Sequence, residues 1–295
     1  MSSIRTILAA TDFSPDAEHA ARRAAILAAQ HGARMLLLHV VEPDLQLALR
    51  DWIAQDRDLR GAVAEQAKMQ LDACADDMER QHGVAIERLV RLGRSIDEVR
   101  EASIECDLVV VGARGAQGVR EATLGTFADR LVRTAQRPVL VVKRPPEGAY
   151  RCALVLTDFS AGAEAALGAT LAVTRDAAVH LLHAFAVPFE GKLRLAGVRD
   201  EDIASNRNEV RGRALTQMQQ AVAGLGPDRV ATEVVPGDVR TAAWRTMDRL
   251  RPDLLAVGKH GDSLLQDMLL GSTTGYMLAL AGCDVLVVPR RAAQA

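Results

Sequence analysis

Short, almost continuously apolar runs rich in β-branched residues alternate along this chain with longer stretches whose apolar positions recur at helical spacing. Over the first part of the chain the runs are residues 6–10, 35–40, 85–90, 108–111 and 139–142. Between them lie 16–30, 47–81, 95–103 and 125–134, which read as helices. A run that is apolar at every position suits a strand buried on both faces. Five such strands separated by four helices predict right-handed βαβ crossovers and a parallel sheet covered on both sides. Ser14 followed by Pro15 marks the first helix start, a side-chain acceptor before a residue whose φ is preset.

The whole pattern then occurs again. Ile7-Leu8-Ala9-Ala10-Thr11-Asp12-Phe13-Ser14 returns as Ala153-Leu154-Val155-Leu156-Thr157-Asp158-Phe159-Ser160, an offset of 146 residues. The same offset relates Asp107-Leu-Val-Val-Val-Gly112 to Asp253-Leu-Leu-Ala-Val-Gly258, and Val139-Leu-Val-Val142 to Val285-Leu-Val-Val288. Mid-copy the offset falls to 144, pairing His39 with His183 and Gly93 with Gly237. The chain is a tandem duplication. It predicts two Rossmann-like α/β units, residues 1–144 and 150–295, joined by the stiff segment Arg-Pro-Pro-Glu-Gly at 144–148.

Composition narrows the function classes. The 295 residues are 49% hydrophobic and 25% charged, which fits a folding chain rather than a disordered one. Lys+Arg 36 against Asp+Glu 38 leaves a net charge of −2, so no bulk field draws a polyanion or an anionic membrane surface. With 2 Trp, 2 Tyr and 5 Phe, a base-stacking platform lacks material. No apolar run is long enough for a membrane helix, and the N-terminal residues lack the layout of a signal peptide, so the expected location is the cytoplasm. Nucleic acid and membranes are not expected partners. Cys74, Cys106, Cys152 and Cys283 are scattered and read as free thiols in a reducing compartment; no metal site is expected.

In an open parallel sheet the ligand crevice lies beyond the C-terminal strand ends. The first strand of each copy ends in Thr11-Asp12 or Thr157-Asp158, and the fourth ends in Gly112-Ala-Arg-Gly115 or Gly258-Lys-His-Gly261. Nine residues later come Gly125-Thr126 and Gly271-Ser272, giving G-x2-G-x9-G-[ST] twice in register. Glycines let the backbone approach a ligand closely. A helix opening on Gly-Thr or Gly-Ser then aims its free N–H groups and dipole at the same place, an arrangement suited to phosphate. No G-x4-G-K-[ST], G-x-G-x-x-G after the first strand, or G-x-S-x-G is present, which argues against fast phosphoryl transfer and hydrolase chemistry.

These doubled motifs resemble those of the universal stress protein family, over essentially the whole chain. The resemblance implies, for each copy, a five-stranded parallel sheet ordered 3-2-1-4-5 with helices on both faces, and adenine-nucleotide binding as in many members. It also implies pairing of units through their last strands, here a pseudo-dimer within the chain, with a homodimer as a further option. By position it assigns the nucleotide in the first copy to Thr11, Asp12, Val40, Val111, Gly112, Arg114, Gly115, Gly125, Thr126 and Phe127. The second copy offers Thr157, Asp158, Ala184, Val257, Gly258, His260, Gly261, Gly271, Ser272 and Thr273. The first copy departs from the family at Phe127-Ala128, where the second has Thr273-Thr274, a difference expected to remove a hydroxyl near the phosphates. The expected ligand is ATP or a related adenine nucleotide, with Mg2+ as an optional companion. The expected function is that of a stress regulator with little or slow hydrolysis. Two other readings stay open: an interaction or chaperone-like module that binds no nucleotide, and a slow ATPase.

Overall fold

The computed structural model describes residues 4–42, 59–115, 124–186, 195–225, 229–259 and 270–290. The chain divides into two compact units, Met1–Ala149 with Gly282–Val287, and a second built mainly from Tyr150 onward.

The first unit runs β1 (Thr6–Thr11), α1 (Pro15–His31), β2 (Arg34–Val41), α2 (Leu59–His82), β3 (Ile86–Leu92), α3 (Ser95–Ala102), β4 (Leu108–Gly112), α4 (Thr126–Thr134) and β5 (Val139–Val142). Its strands are parallel in the order β3-β2-β1-β4-β5. Ile7, Leu8, Leu108, Val109 and Leu140 are wholly buried, as strands covered on both faces require. The start of α1 is the one its sequence announces: Ser14 accepts the Ala17 N–H, and Pro15 opens the helix. Its buried face is mostly alanine (Ala17, Ala20, Ala21, Ala24, Ala25, Ala28), which lets the helix lie close on β1 and β4. The helix expected over 47–81 is described from Leu59; the residues before it lie outside the described range.

The second unit runs β6 (Cys152–Leu156), α5 (Ala161–Val173), β7 (Ala178–Phe185), α6 (Asp200–Ala221), β8 (Val230–Pro236), α7 (Val239–Leu250), β9 (Leu254–Gly258) and α8 (Ser272–Leu280), followed by β10 (Asp284–Val288). Its strands pair in parallel as β8-β7-β6-β9.

In the strand order β10 stands next to β9, as expected of the fifth strand of the second copy, and the departure from a five-stranded parallel sheet is one of detail, an antiparallel pairing with β5. Over residues 282–287 the chain belongs to the first unit, where β10 lies antiparallel to β5 with Val285 opposite Val141, Leu286 opposite Leu140 and Val287 opposite Val139. Val288 belongs to the second unit and accepts the Lys259 N–H at 2.8 Å. The physical reason is that β5 is four buried aliphatic residues, and such an edge needs a covering partner. Beside this pairing sits a buried ionic cluster. Asp284 accepts the Lys143 N–H at 2.9 Å and lies 3.4 Å from Arg23 Nε, while Arg23 Nη1 donates to the Gly148 carbonyl. Burial brings the Lys143 amine down to about 8 and pushes the Cys283 thiol up to about 12. Among the described residues no helix is long and apolar enough to cross a membrane.

Candidate functional site

Where β1 leaves the sheet, the chain turns on itself within three residues. Thr11 is buried and its Oγ1 accepts the Phe13 N–H; Asp12 Oδ1 accepts both the Ser14 N–H and the Ser14 hydroxyl. Phe13 holds φ at +63°, a left-handed backbone that costs a non-glycine residue about 1–2 kcal/mol. Its ring packs 4.4 Å from the His39 ring, and His39 Nδ1 donates to the Thr11 carbonyl at 2.8 Å. The second copy repeats this residue for residue. Phe159 also has φ +63°, lies 4.3 Å from His183, and His183 Nδ1 meets the Thr157 carbonyl at 2.8 Å. Asp158 Oδ1 accepts the Ser160 N–H.

The end of β4 reaches the same place from the other side. A Cβ on Gly112 would lie 2.6–2.8 Å from backbone atoms of Asp16 and Ala17, and one on Gly258 would lie 2.8 Å from the Gly162 backbone. These glycines let the strand end rest on the first turn of the first helix of the same copy, α1 or α5. Gly115 faces Asp12, with a Cβ there only 2.7 Å from Asp12 Oδ2. A matched hydrogen bond joins the residues that flank the nine-residue spacer: Gly125 N–H donates to Ala113 O at 2.7 Å, and Gly271 N–H to Lys259 O at 3.1 Å.

Gly125 and Gly271 are the N-caps of α4 and α8, and among the described residues no side chain makes a cap hydrogen bond at either start. The N-caps of α3 and α6 likewise make no side-chain cap bond, whereas α1, α5 and α7 are capped by Ser14, Ser160 and Asp238. Thr126 and Ser272, the first helical residues, are exposed. The first-turn N–H groups and the positive dipole end of α4 and α8 thus open beside the strand ends, which is chemistry for an anion.

The structure refines several of the expected site residues. Val111 and Val257 are sealed in the core, so only their backbone can face a ligand. Val40 and Ala184 are half-buried near the ends of β2 and β7. Arg114 is engaged by Asp16, Nε to Oδ2 at 2.8 Å and Nη2 to Oδ1 at 3.3 Å, which raises its already high pKa. The Thr274 hydroxyl donates to the Gly258 carbonyl at 2.8 Å, and Ala128 at the same place in the first copy is buried. The hydroxyl expected near the phosphates therefore pins α8 to β9 instead. Phe127 and Thr273 are half-buried next to the exposed first residues of α4 and α8. His260 and Gly261 lie outside the described residues. Sequence reasoning missed the left-handed phenylalanines and Asp16; the repeated Thr-Asp-Phe-Ser carried the signal for the first. Among the described residues no group of three or more His, Cys, Asp or Glu is placed to hold a metal.

Comparison with known proteins gives a consistent result. The model of the universal stress protein family matches residues 3–143 and again 149–289. A universal stress protein of Mycolicibacterium smegmatis is 25% identical over 298 residues, covering 97% of this chain and 97% of that one. One of Thermus aquaticus is 30% identical over 145 residues, 47% of this chain and 98% of its own length. The crystal structure of a universal stress protein from Archaeoglobus fulgidus superposes with a TM-score of 0.70 at 19% identity, covering 97% of this chain and 98% of that chain.

Proposed function

The chain belongs to the universal stress protein family, and on that premise we propose that it binds ATP or a related adenine nucleotide in at least one copy and acts as a cytoplasmic, nucleotide-responsive stress regulator with little or slow hydrolysis. One observation carries the reading: in both copies a glycine N-cap without a side-chain acceptor is hydrogen-bonded back to the residue that follows β4 or β9. This sets a helix N-terminus beside the end of the fourth strand of each copy, and in the first copy the neighbouring Gly115 faces Asp12.

The residues fit such a ligand. At Gly115 the backbone comes up to Asp12 with no side chain between them, since a Cβ there would lie 2.7 Å from Asp12 Oδ2. Asp12 and Asp158 each spend Oδ1 on the local turn. Their role toward a nucleotide is to accept from ribose hydroxyls or the adenine amino group. The α4 and α8 N–H groups, with Thr126 and Ser272, take the phosphates. A Mg2+ ion accompanying them would be held chiefly by phosphate oxygens.

The test is direct. Purified protein is denatured and the released small molecules are chromatographed; nucleotide-free protein is then titrated with ATP by calorimetry. We expect an adenine nucleotide or a measurable binding heat, and loss of affinity in Gly115→Val for a ligand in the first copy. Absence of both nucleotide and heat removes the proposal in favour of an interaction module that uses the crevice without a nucleotide. Steady phosphate release that falls in Asp12→Ala or Asp158→Ala would instead establish an ATPase.

A further inference from the structure

β3 is the outer strand of the first unit, and its ladder runs along one side only, against β2. The Gly93 N–H donates to the Val41 carbonyl at 3.2 Å, so odd-numbered positions turn their peptide groups toward β2, while Ile86, Arg88, Val90 and Leu92 turn theirs outward. At Ile86 the outward groups are used: the N–H donates to Glu79 Oε1 at 2.7 Å, and the carbonyl accepts from Arg88 Nη1 at 2.6 Å. Beyond it, no described residue bonds the outward backbone groups of Arg88, Val90 and Leu92, and the Leu92 side chain is 60% exposed. The register with β2 is continuous and the strand contains no proline, so neither a bulge nor a missing donor protects this edge. The matching edge of the second copy is protected. On β8 the Gly237 N–H donates to the Phe185 carbonyl, which turns Thr232, Val234 and Pro236 outward, and Pro236, the counterpart of Leu92, has no N–H to offer.

We propose that β3 pairs antiparallel with β3 of a second copy of this chain, in the register that sets Leu89 against Leu89. Charge selects that register. It brings Glu87 opposite Arg91 on both sides of the two-fold axis, Arg88 opposite Val90, and the exposed Leu92 opposite Ile86. Arg88 and Val90 both face outward, so they exchange N–H and carbonyl groups across the pair. Slipping one strand by a single residue sets outward groups against inward ones. Slipping it by two residues sets Arg88 against Arg88 in one direction; in the other it leaves Glu87 opposite Gly93 and Leu89 opposite Arg91, with no acid facing a base. In the favoured register Glu87, already bonded to Arg34 on β2, takes Arg91 of the other copy as a second cation. Arg91, 3.4 Å from Glu98 and 3.7 Å from Glu101, takes a further carboxylate. Charges on an edge strand ordinarily prevent pairing, and here they exclude the wrong registers. The second copy lacks the set: Ala231, Glu233 and Val235 stand where Glu87, Leu89 and Arg91 do, and the same register would set Glu233 against Glu233.

The experiment is sedimentation equilibrium of the full chain, which should show a dimer at tens of micromolar protein without added nucleotide. Val90→Pro removes an outward N–H, as Pro236 does on β8, and should weaken the dimer about tenfold or more while the urea midpoint stays near that of the wild type. Leu89→Glu installs the residue type that the second copy carries at this place and should weaken it to a similar degree. Leu89→Cys reads the register itself. Directly opposed residues of a non-hydrogen-bonded antiparallel pair lie about 4.5 Å apart at Cα, within disulfide reach, so mild oxidation should link two Leu89→Cys chains and leave wild type and Val90→Cys unlinked. A wild type that stays monomeric at these concentrations would overturn the proposal. So would a dimer that persists in both Val90→Pro and Leu89→Glu, which would lie on another surface, or the absence of the Leu89→Cys link.

Discussion

A methyl group added at Gly112 and one added at Gly115 meet different kinds of neighbour. At Gly112 it would press on backbone atoms of Asp16 and Ala17 at 2.6–2.8 Å, which cannot move without shifting α1. Gly112→Ala should lower stability by about 1–3 kcal/mol in urea unfolding. At Gly115 the close neighbour is Asp12 Oδ2 at the end of a rotatable side chain, so Gly115→Ala should unfold near the wild-type midpoint while losing nucleotide affinity. The left-handed turn offers a second comparison. At φ +63° glycine is unstrained and alanine is not, so Phe13→Gly should be more stable than Phe13→Ala by about 1 kcal/mol, the reverse of the usual ordering inside regular structure. At this scale the sequence was legible where a local motif repeats. Thr-Asp-Phe-Ser, written twice, pointed to a built strand end, which the ring contacts and Nδ1 hydrogen bonds of His39 and His183 complete. The Asp16–Arg114 pair was not legible, because it joins residues 98 apart and nothing local to either announces the other.

Strands and helices were the most readable elements. Runs such as Leu108–Gly112 are apolar at nearly every position because they are covered on both faces, and Ser14-Pro15 announces α1 by chemistry confined to four residues. What local patterning could not provide was the partner of β10, since strand pairing is decided by packing between distant segments. The strand entries carry a further consequence. Cys106 precedes β4 by two residues and Cys283 directly precedes β10, and burial pushes their thiols up to about 11 and about 12. The reactive thiolate is therefore scarce at ordinary pH. Neither should react with a disulfide reagent at pH 8 in the native protein, and both should react once it is unfolded in urea; rapid labelling of either in the folded chain would contradict their placement.

At the scale of the whole molecule, the duplication was plain from the offsets, and the family model matches the chain twice. The ionic cluster around Asp284 was not plain, because it gathers residues 23, 143, 148 and 284 from well-separated parts of the sequence. It makes a pH prediction. The Lys143 amine titrates near 8 in the fold and near 10.4 in an unfolded chain. Between those values the unfolded state binds more protons, so stability rises with pH through that window. Below about 8 the full penalty of holding the charged amine is present. Lys143→Met, which keeps the aliphatic stem, should be more stable than wild type at pH 7, with the gap narrowing from pH 8 and closing above about 10.4. A gap that stays constant across this range would refute the role of burial at Lys143.

The placement of residues 282–287 in the first unit means that the repeat as written in the sequence and the unit as folded have different ends. A chain stopped after Ala149 would contain every residue of the first repeat, yet it would bare the Val139–Val142 edge and take the Asp284 carboxylate from Arg23. Losing one partner of a buried ion pair costs about 3–5 kcal/mol, and an uncovered aliphatic edge seeks a strand elsewhere. Such a fragment is expected to borrow that strand from another molecule, appearing in solution as swapped dimers or aggregates, so splitting the gene at the repeat joint would create a new assembly rather than release a half.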